Sequence, residues 1–197
     1  MNSTPIDLNG PRPTAPLLQH GAVTVRDAVE ADFPAIGELT VRAYLDGGHL
    51  QEGDGYLTNL ADVAARAAAA RVLVAEVPGP GGAPVVAGSV VLSLPGMEMS
   101  ELAQDGELEF RMLAVHPDHH RKGVARALVR TVITRAEALE AISAVVLTTM
   151  ETMLGAHRLY ESEGFVRTPE RDWCLSETMT LQPGQPDKCF PVYRRPA

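Results

Sequence analysis

The amino-acid sequence predicts a mixed α/β domain built around one sheet, and three patterns support this class. Val23 and Val25 alternate with polar residues, which is typical of a half-buried strand. Apolar residues recur every four positions in 123–140, as on one face of an amphipathic helix. The apolar run Ala144–Leu147 is continuous, as in a buried parallel strand. Together with a strand that ends at Val115, these segments predict a β-α-β crossover.

The chain divides into an N-terminal tail and one folded domain. Residues 1–21 contain four prolines among small and polar residues. Because proline fixes φ and removes an amide donor, we expect this tail to be disordered. We expect residues 22–197 to form the domain. With 197 residues, 45% of them hydrophobic, the chain can bury a core without a metal or a disulfide framework.

The first half of the domain is predicted to begin with a strand and two helices. Asp32 is a helix N-cap residue with Pro34 in the first turn, and apolar residues at helical spacing follow as far as Ala43. Glycines between 47 and 55 predict a loop, and the apolar face of 57–70 predicts the second helix.

The remaining elements follow from the same periodicities, with breaks at glycine and proline. The pattern predicts strands at 72–77, 85–94, 108–115, 144–147, from 165 and at 189–194, and helices at 123–140 and 152–163. The resulting order is β-α-α-β-β-β-α-β-α-β-β, a mixed α/β sandwich with one β-α-β crossover.

Composition and charge argue against several functional classes. A formal net charge of −8 and an aromatic content of 5% disfavour a nucleic-acid-binding surface. No apolar run has the length of a membrane span, and the N-terminus lacks the pattern of a signal peptide, so we expect a soluble, cytoplasmic protein. The two cysteines, Cys174 and Cys189, do not make a disulfide framework, although the sequence allows a single bridge.

One segment, 107–127, combines a strand, a sharp turn, a glycine and a helix start. The first amides of a helix lack intrahelical partners and can bind an anion. The segment is also basic although the chain as a whole is acidic, since His116–Arg135 contains five Arg and Lys residues and only one acid, Asp118. The segment is therefore a candidate phosphate site, although a basic, solvated helix face is an equally good interpretation of these residues alone.

Two motifs resemble those of the GNAT superfamily of N-acyltransferases. The run Glu109–Pro117 followed by His120–Leu128 is similar to the family's acetyl-CoA-binding motif, and Ala156–Phe165 is similar to its second signature. The motifs occur in the expected order and on the expected elements. The resemblance covers roughly residues 22–195, and it implies a mixed, mostly antiparallel sheet flanked by helices, with the β-α-β crossover binding acetyl-CoA as co-substrate.

The resemblance also implies the residues that bind acetyl-CoA. Backbone groups of the strand would bond the pantetheine chain, at Leu113, Ala114 and Val115. The loop and helix start would surround the pyrophosphate, at His120, Arg121, Lys122, Gly123, Val124, Ala125 and Arg126. The sequence departs from the family at His120, which replaces the usual Arg or Gln, and at Met153, which replaces an asparagine found in many relatives.

The resemblance assigns the catalytic acid to Tyr160 and the base to Glu109. A phenol with a pKa of about 10 can protonate a departing thiolate of similar basicity. Glu109 stands where some relatives have a glutamate that relays the amine proton through water. The alternatives are a core aromatic for Tyr160, and a salt-bridged glutamate for Glu109 with water as the base.

The implied reaction is direct acetyl transfer to a primary amine on a small molecule, a lysine or a peptide N-terminus. Acidic residues on both sides of the expected acceptor site favour a cationic amine: Asp46, Glu52, Asp54, Asp62, Glu98, Glu101, Asp105, Glu107 and Glu109. A non-catalytic acyl-CoA-binding sensor or regulatory module is the alternative. Neither the histidines nor the cysteines have the spacing of a metal site or a catalytic thiol. The sequence is compatible with a homodimer and does not identify the acceptor or the acyl chain length.

Overall fold

The computed structural model describes Leu8, residues 16–182 and residues 184–197. The strands of the described residues are β1 (Leu18–His20), β2 (Val23–Asp27), β3 (Arg71–Pro78), β4 (Pro84–Ser93), β5 (Glu107–Val115), β6 (Ala144–Thr148), β7 (Val166–Arg167), β8 (Trp173–Cys174), β9 (Cys189–Phe190) and β10 (Val192–Pro196). The helices are α1 (Phe33–Asp46), α2 (Tyr56–Ala61), α3 (Val63–Ala69), α4 (Val124–Glu137), α5 (Leu154–Ser162) and α6 (Leu175–Thr178). None of these helices is long and apolar enough to cross a bilayer.

Eight strands form one sheet in the order β1-β2-β3-β4-β5-β6-β10-β7, and β8 pairs with β9 in a small second sheet. Every neighbouring pair is antiparallel except β5 and β6, which are parallel and joined by α4. The predicted fold class is therefore confirmed, including the single β-α-β crossover.

The sheet separates two apolar layers. In β3, Leu73 and Ala75 pack in the cluster that contains α4, whereas Val72 and Val74 pack in the cluster that contains α1 and α3. This division follows from the two-residue period of a strand that is buried on both faces. The result is a three-layer arrangement with helices on each side of the sheet.

Helix α4 packs very closely on the sheet because Gly88 of β4 has no side chain. A Cβ atom at Gly88 would lie 2.8 Å from Cγ1 of Val124 and 2.9 Å from the carbonyl oxygen of Ala114. Near the other end of the helix, Arg135 lies 3.9 Å from Asp27, which is buried and paired with Arg71. The first turn of α4 is thus fixed beside β4 and β5, and its other end lies beside the end of β2.

Three predictions about the elements were wrong. Residues 18–20, expected to be disordered, form β1 and pair with β2; residues 1–7 and 9–15 of the tail lie outside the described part. The predicted helix at 57–70 is two helices, because Asp62 leaves the helical conformation and its side chain caps α3 by accepting a hydrogen bond from Ala65 N. The predicted strand at 189–194 is β9 and β10 in different sheets, separated by Pro191.

Candidate active site

The turn between β5 and α4 presents a run of free backbone amides. Arg121 and Gly123 adopt left-handed conformations, with φ of +60° and +84°, immediately before α4 begins. Within the described part of the chain, no backbone or side-chain acceptor is found for the N–H groups of 121–126. Such consecutive amides at a helix N-terminus form an anion-binding concavity. The space beside Gly123 is open, since a Cβ atom there would have its nearest neighbour, His20, 3.9 Å away.

The charged side chains of this turn have different partners. Arg121 and Lys122 are exposed beside the free amides. Arg126 instead pairs with Glu163 after α5, with Nε 2.8 Å from Oε1, so its guanidinium ties α4 to α5. The imidazole Nε2 of His120 lies 3.1 Å from the carbonyl oxygen of Val115 and fixes the turn to the end of β5.

Strands β5 and β6 are paired only where they begin. Their register joins residues 107–109 to 144–146. In the described part of the chain, the edge of β5 that faces β6 therefore has no strand partner from Phe110 to Val115, although His120 lies near the carbonyl oxygen of Val115. This stretch includes Leu113 and Ala114. An open strand edge can form main-chain hydrogen bonds with an extended ligand.

A bulge in β5 lies within this open stretch. Val91 pairs with Arg111 and Ser89 with Ala114, so β5 has one more residue than β4 between the two pairs. Met112, inside the bulge, has a φ of +50°, which is uncommon for a residue other than glycine. Phe110 packs in the cluster beside α4, and Met112 packs in the cluster on the other side of the sheet. The bulge thus redirects the strand at the site.

A cavity of about 910 Å³ adjoins the open edge of β5. Its walls come from the end of α1 and the following loop, α2, the middle of β5, the residues after β6, α5, and the β8–β9 sheet with α6. Leu113 and Tyr160 both line this cavity. Its volume is in the range of small-molecule sites. Because the open edge of β5 forms part of its wall, a ligand along that edge and a second ligand in the cavity would meet.

Tyr160 reaches the cavity from a rigid setting in the core. It is 5% exposed, and its ring packs edge-on against Phe110 and Phe165, with centroids 5.7 and 6.0 Å away. Burial raises the pKa of its hydroxyl. The group therefore stays protonated at neutral pH and can donate a proton, but only to a strongly basic partner.

The predicted role of Glu109 as base is not supported by its surroundings. Its side chain is fully buried, and it is not among the cavity-lining residues. One carboxylate oxygen, Oε2, accepts hydrogen bonds from Ser100 Oγ at 2.9 Å and from the backbone N–H groups of 101–103. Glu109 therefore holds the loop between β4 and β5 in place.

That loop carries a carboxylate that the sequence analysis did not single out as catalytic. Glu101 lines the cavity, and its side chain, 38% exposed, pairs with Arg111. Burial raises its pKa and nearby Arg111 partly opposes this, so the net pKa lies above the usual value for a glutamate. A carboxylate with a raised pKa at a cavity wall is a candidate proton acceptor. No sequence pattern predicts the path of this loop.

The acidic walls predicted for the acceptor site are weaker in the structure. Glu107 is paired with Arg171 and Arg194 at 2.9 and 2.8 Å, and Asp62 caps α3. The carboxylates that line the cavity are Glu52, Asp54 and Glu101.

One cavity wall is held by a disulfide. Cys174 and Cys189 are bonded across the β8–β9 pair, beside Trp173 and Phe190. Together with Asp187, these cysteines form the one group of potential metal ligands found among the described residues, but both sulfurs are used in the bond.

Comparisons with known proteins match this chain to one family of sequences and to one fold. The model of the acetyltransferase (GNAT) family matches residues 38–165. Rat N-acetyltransferase family 8 member 3 is 42% identical over 69 residues, which cover 35% of this chain but only 30% of that relative.

Two solved structures show the same fold across most of the chain. A GCN5-related N-acetyltransferase from Kribbella flavida is 26% identical with a TM-score of 0.60, covering 89% of this chain and 98% of that one. A GNAT family acetyltransferase from Elizabethkingia anophelis with acetyl-CoA bound is 14% identical with a TM-score of 0.61, covering 90% and 100%.

Proposed function

The chain belongs to the acetyltransferase (GNAT) family, and we propose that it transfers an acetyl group from acetyl-CoA to a primary amine by direct attack in a ternary complex. The observation that carries this proposal is the open edge of β5. It runs from the amide-rich turn at 121–126 to a cavity lined by Tyr160. A linear thioester with a pyrophosphate at one end has the shape and chemistry of this path.

The residues on the path fit acetyl-CoA, which supplies the activated acetyl group. The N–H groups of 121–126 would bind the pyrophosphate, helped by Arg121 and Lys122 and by the dipole of α4. The unpaired edge from Phe110 to Val115 would bond the pantetheine amides. Gly123 contributes its left-handed φ and the open space beside it.

Two residues would carry the proton transfers. The attacking amine must lose a proton, and the carboxylate of Glu101 would accept it directly or through water. When the carbon–sulfur bond breaks, the departing thiolate needs a proton, which the hydroxyl of Tyr160 would donate. Glu109 would act as a positioning residue, since it fixes the loop that carries Glu101.

Direct transfer also fits the absence of a free thiol. The only two cysteines of the chain are joined in the disulfide, so neither can accept the acetyl group while that bond is intact. Holding both substrates together would supply the rate enhancement that comes from proximity.

A panel of primary amines tests the proposal. Binding of acetyl-CoA is measured by calorimetry, and release of the free thiol is followed with a chromogenic disulfide. The chromogenic assay must include a correction for reaction of the protein itself. We expect acetyl-CoA binding together with amine-dependent thiol release. Tight acetyl-CoA binding without thiol release from any amine would contradict the proposal and favour a non-catalytic acyl-CoA-binding module.

A further inference from the structure

Aromatic side chains are concentrated in the cavity wall. Aromatic residues make up 5% of the chain, yet six of the nine lie here: Tyr44, Tyr56, Phe110, Tyr160, Trp173 and Phe190. Four of the seven methionines line the same cavity. Aromatic rings and methionine thioethers bind flat apolar groups well, because both offer polarizable surface and rings add edge or face contacts.

Two of these rings form a rigid platform. Trp173 and Phe190 are paired across β8 and β9, and their rings stack with centroids 4.3 Å apart and planes inclined by 19°. The disulfide joins the next residue pair, Cys174 and Cys189. Both rings are only half-buried, so the stack can still offer surface to a ligand in the cavity.

The charges of the cavity suit a single positive group. Glu101 is paired with Arg111, and the remaining charged residues are Glu52, Asp54 and Lys188. Burial, together with the nearby Lys188, lowers the pKa of His49, so this histidine stays neutral at pH 7. The formal net charge of the cavity-lining side chains is therefore −1. An amine with one cationic centre fits this balance better than a polyamine does.

We propose that the acceptor is a primary amine joined by a short linker to an aromatic ring. The proposal rests on the acetyltransferase function and names its substrate class. The ring would pack among the aromatic and methionine side chains, and the amine would lie toward the carboxylates, where Glu101 can take its proton.

Competing amines of different shape test the substrate class. Phenylethylamine, n-butylamine and spermidine are compared by thiol release at fixed acetyl-CoA. We expect kcat/KM for phenylethylamine to exceed both others by roughly tenfold, a ratio typical of aromatic contacts. Equal values, or a preference for spermidine, would overturn the inference and leave the acetyltransferase function intact. No thiol release with any amine would contradict the function itself.

The fluorescence of Trp173 gives a readout that does not depend on turnover. It is the only tryptophan of the chain and lines the cavity. With the protein saturated by coenzyme A, we expect phenylethylamine to change this fluorescence in a saturable way at concentrations where n-butylamine has no effect. Identical responses to the two amines would also overturn the inference.

A matched pair of variants locates the ring-binding surface. Phe190→Leu removes one ring from the platform, whereas Phe33→Leu removes a ring on α1 that is not among the cavity-lining residues. We expect Phe190→Leu to reduce the ratio of kcat/KM for phenylethylamine over n-butylamine roughly fivefold, and Phe33→Leu to leave it unchanged. An unchanged ratio in folded Phe190→Leu would count against the proposal.

Discussion

At the scale of single residues, the proposed reaction depends on two titratable side chains with different surroundings. Tyr160 is held by aromatic neighbours, and burial keeps its hydroxyl protonated. Glu101 lies on a loop and is partly exposed, and burial makes its carboxylate more basic than usual. The first can give a proton and the second can take one, which is the pair of tasks that amide formation from a thioester requires.

Replacement of Tyr160 by phenylalanine tests the acid. Tyr160→Phe keeps the ring and removes only the proton donor, so we expect kcat to fall by about 10²–10⁴-fold while the KM for acetyl-CoA changes little. Steady-state kinetics with circular dichroism as a folding check measures this. Parental activity in the variant would show that Tyr160 is only a core residue. An increase in KM with kcat preserved would instead assign its hydroxyl to cofactor binding.

Replacement of Glu101 by glutamine tests the base through pH. A general base acts when it is deprotonated, so kcat should decline as the pH falls through the pKa of Glu101. Because that pKa is raised, the decline should begin above the range of an ordinary glutamate, whose pKa is about 4.3. Glu101→Gln should lower kcat by ~10²-fold and remove this acid limb.

The control for this variant is Glu98→Gln, which changes an exposed carboxylate on the same loop that does not line the cavity. We expect Glu98→Gln to keep the parental pH profile. Retention of the acid limb in Glu101→Gln would exclude Glu101 as its source.

Replacement of Gly123 by glutamate tests the pyrophosphate site. A side chain there would be strained by the positive φ, would enter the space beside the free amides, and would repel a phosphate. We expect calorimetry to show no acetyl-CoA binding to Gly123→Glu. Gly82→Glu is the matched control. Gly82 lies in the turn between β3 and β4, has the same φ of +84° and has open space around it. Normal acetyl-CoA affinity in a folded Gly123→Glu protein would rule out this turn.

At the scale of elements, the position of α4 connects the fold to the site. In the proposed function the start of the helix supplies amides for the pyrophosphate, and Gly88 lets its first turn approach β4 and β5. Any side chain at Gly88 would have to displace either the helix or the carbonyl of Ala114 in the open strand. We therefore expect packing at this one position to affect both stability and acetyl-CoA binding.

A pair of glycine-to-alanine substitutions tests this packing. Gly88→Ala should lower the free energy of unfolding by about 1–3 kcal/mol, as overpacked cores do, and should weaken acetyl-CoA binding. Gly155→Ala should instead raise the free energy of unfolding by up to about 1 kcal/mol, because Gly155 lies in α5 with open space around its Cα. Denaturant unfolding monitored by circular dichroism measures both. A Gly88→Ala protein as stable as the parent would contradict the close seating of α4.

The element order was largely predictable because periodicity and breakers act locally. The β5–α4–β6 unit was predicted to within a few residues, since its strand, glycine turn and amphipathic helix each have a local pattern. The division between α2 and α3 at Asp62 was not predicted, because the apolar face of the sequence continues across it. The division at Pro191 was missed because β9 and β10 differ only in the strand with which each one pairs.

At the scale of the whole molecule, the site depends on contacts between residues that are distant in sequence. The sequence motifs drew attention to the residues around 107–128 and to Tyr160, and in the structure Leu113 and Tyr160 line the same cavity. The hydrogen-bond partners of Glu109 could not be predicted, because no local pattern indicates that the 100–103 loop folds back onto its carboxylate. Likewise, Glu107 of the predicted acidic field is neutralised by Arg171 and Arg194, whose positions only the tertiary structure gives.

The central claim is direct transfer of an acetyl group from acetyl-CoA to an amine, and two-substrate kinetics with acetyl-labelled acetyl-CoA tests it most directly. Initial rates are measured over a grid of both substrates, and the label is traced in the amine and in the protein. The structure predicts intersecting double-reciprocal lines, label in the acetylated amine, and none on the protein after denaturation. Parallel lines with a labelled acetyl-protein would contradict direct transfer.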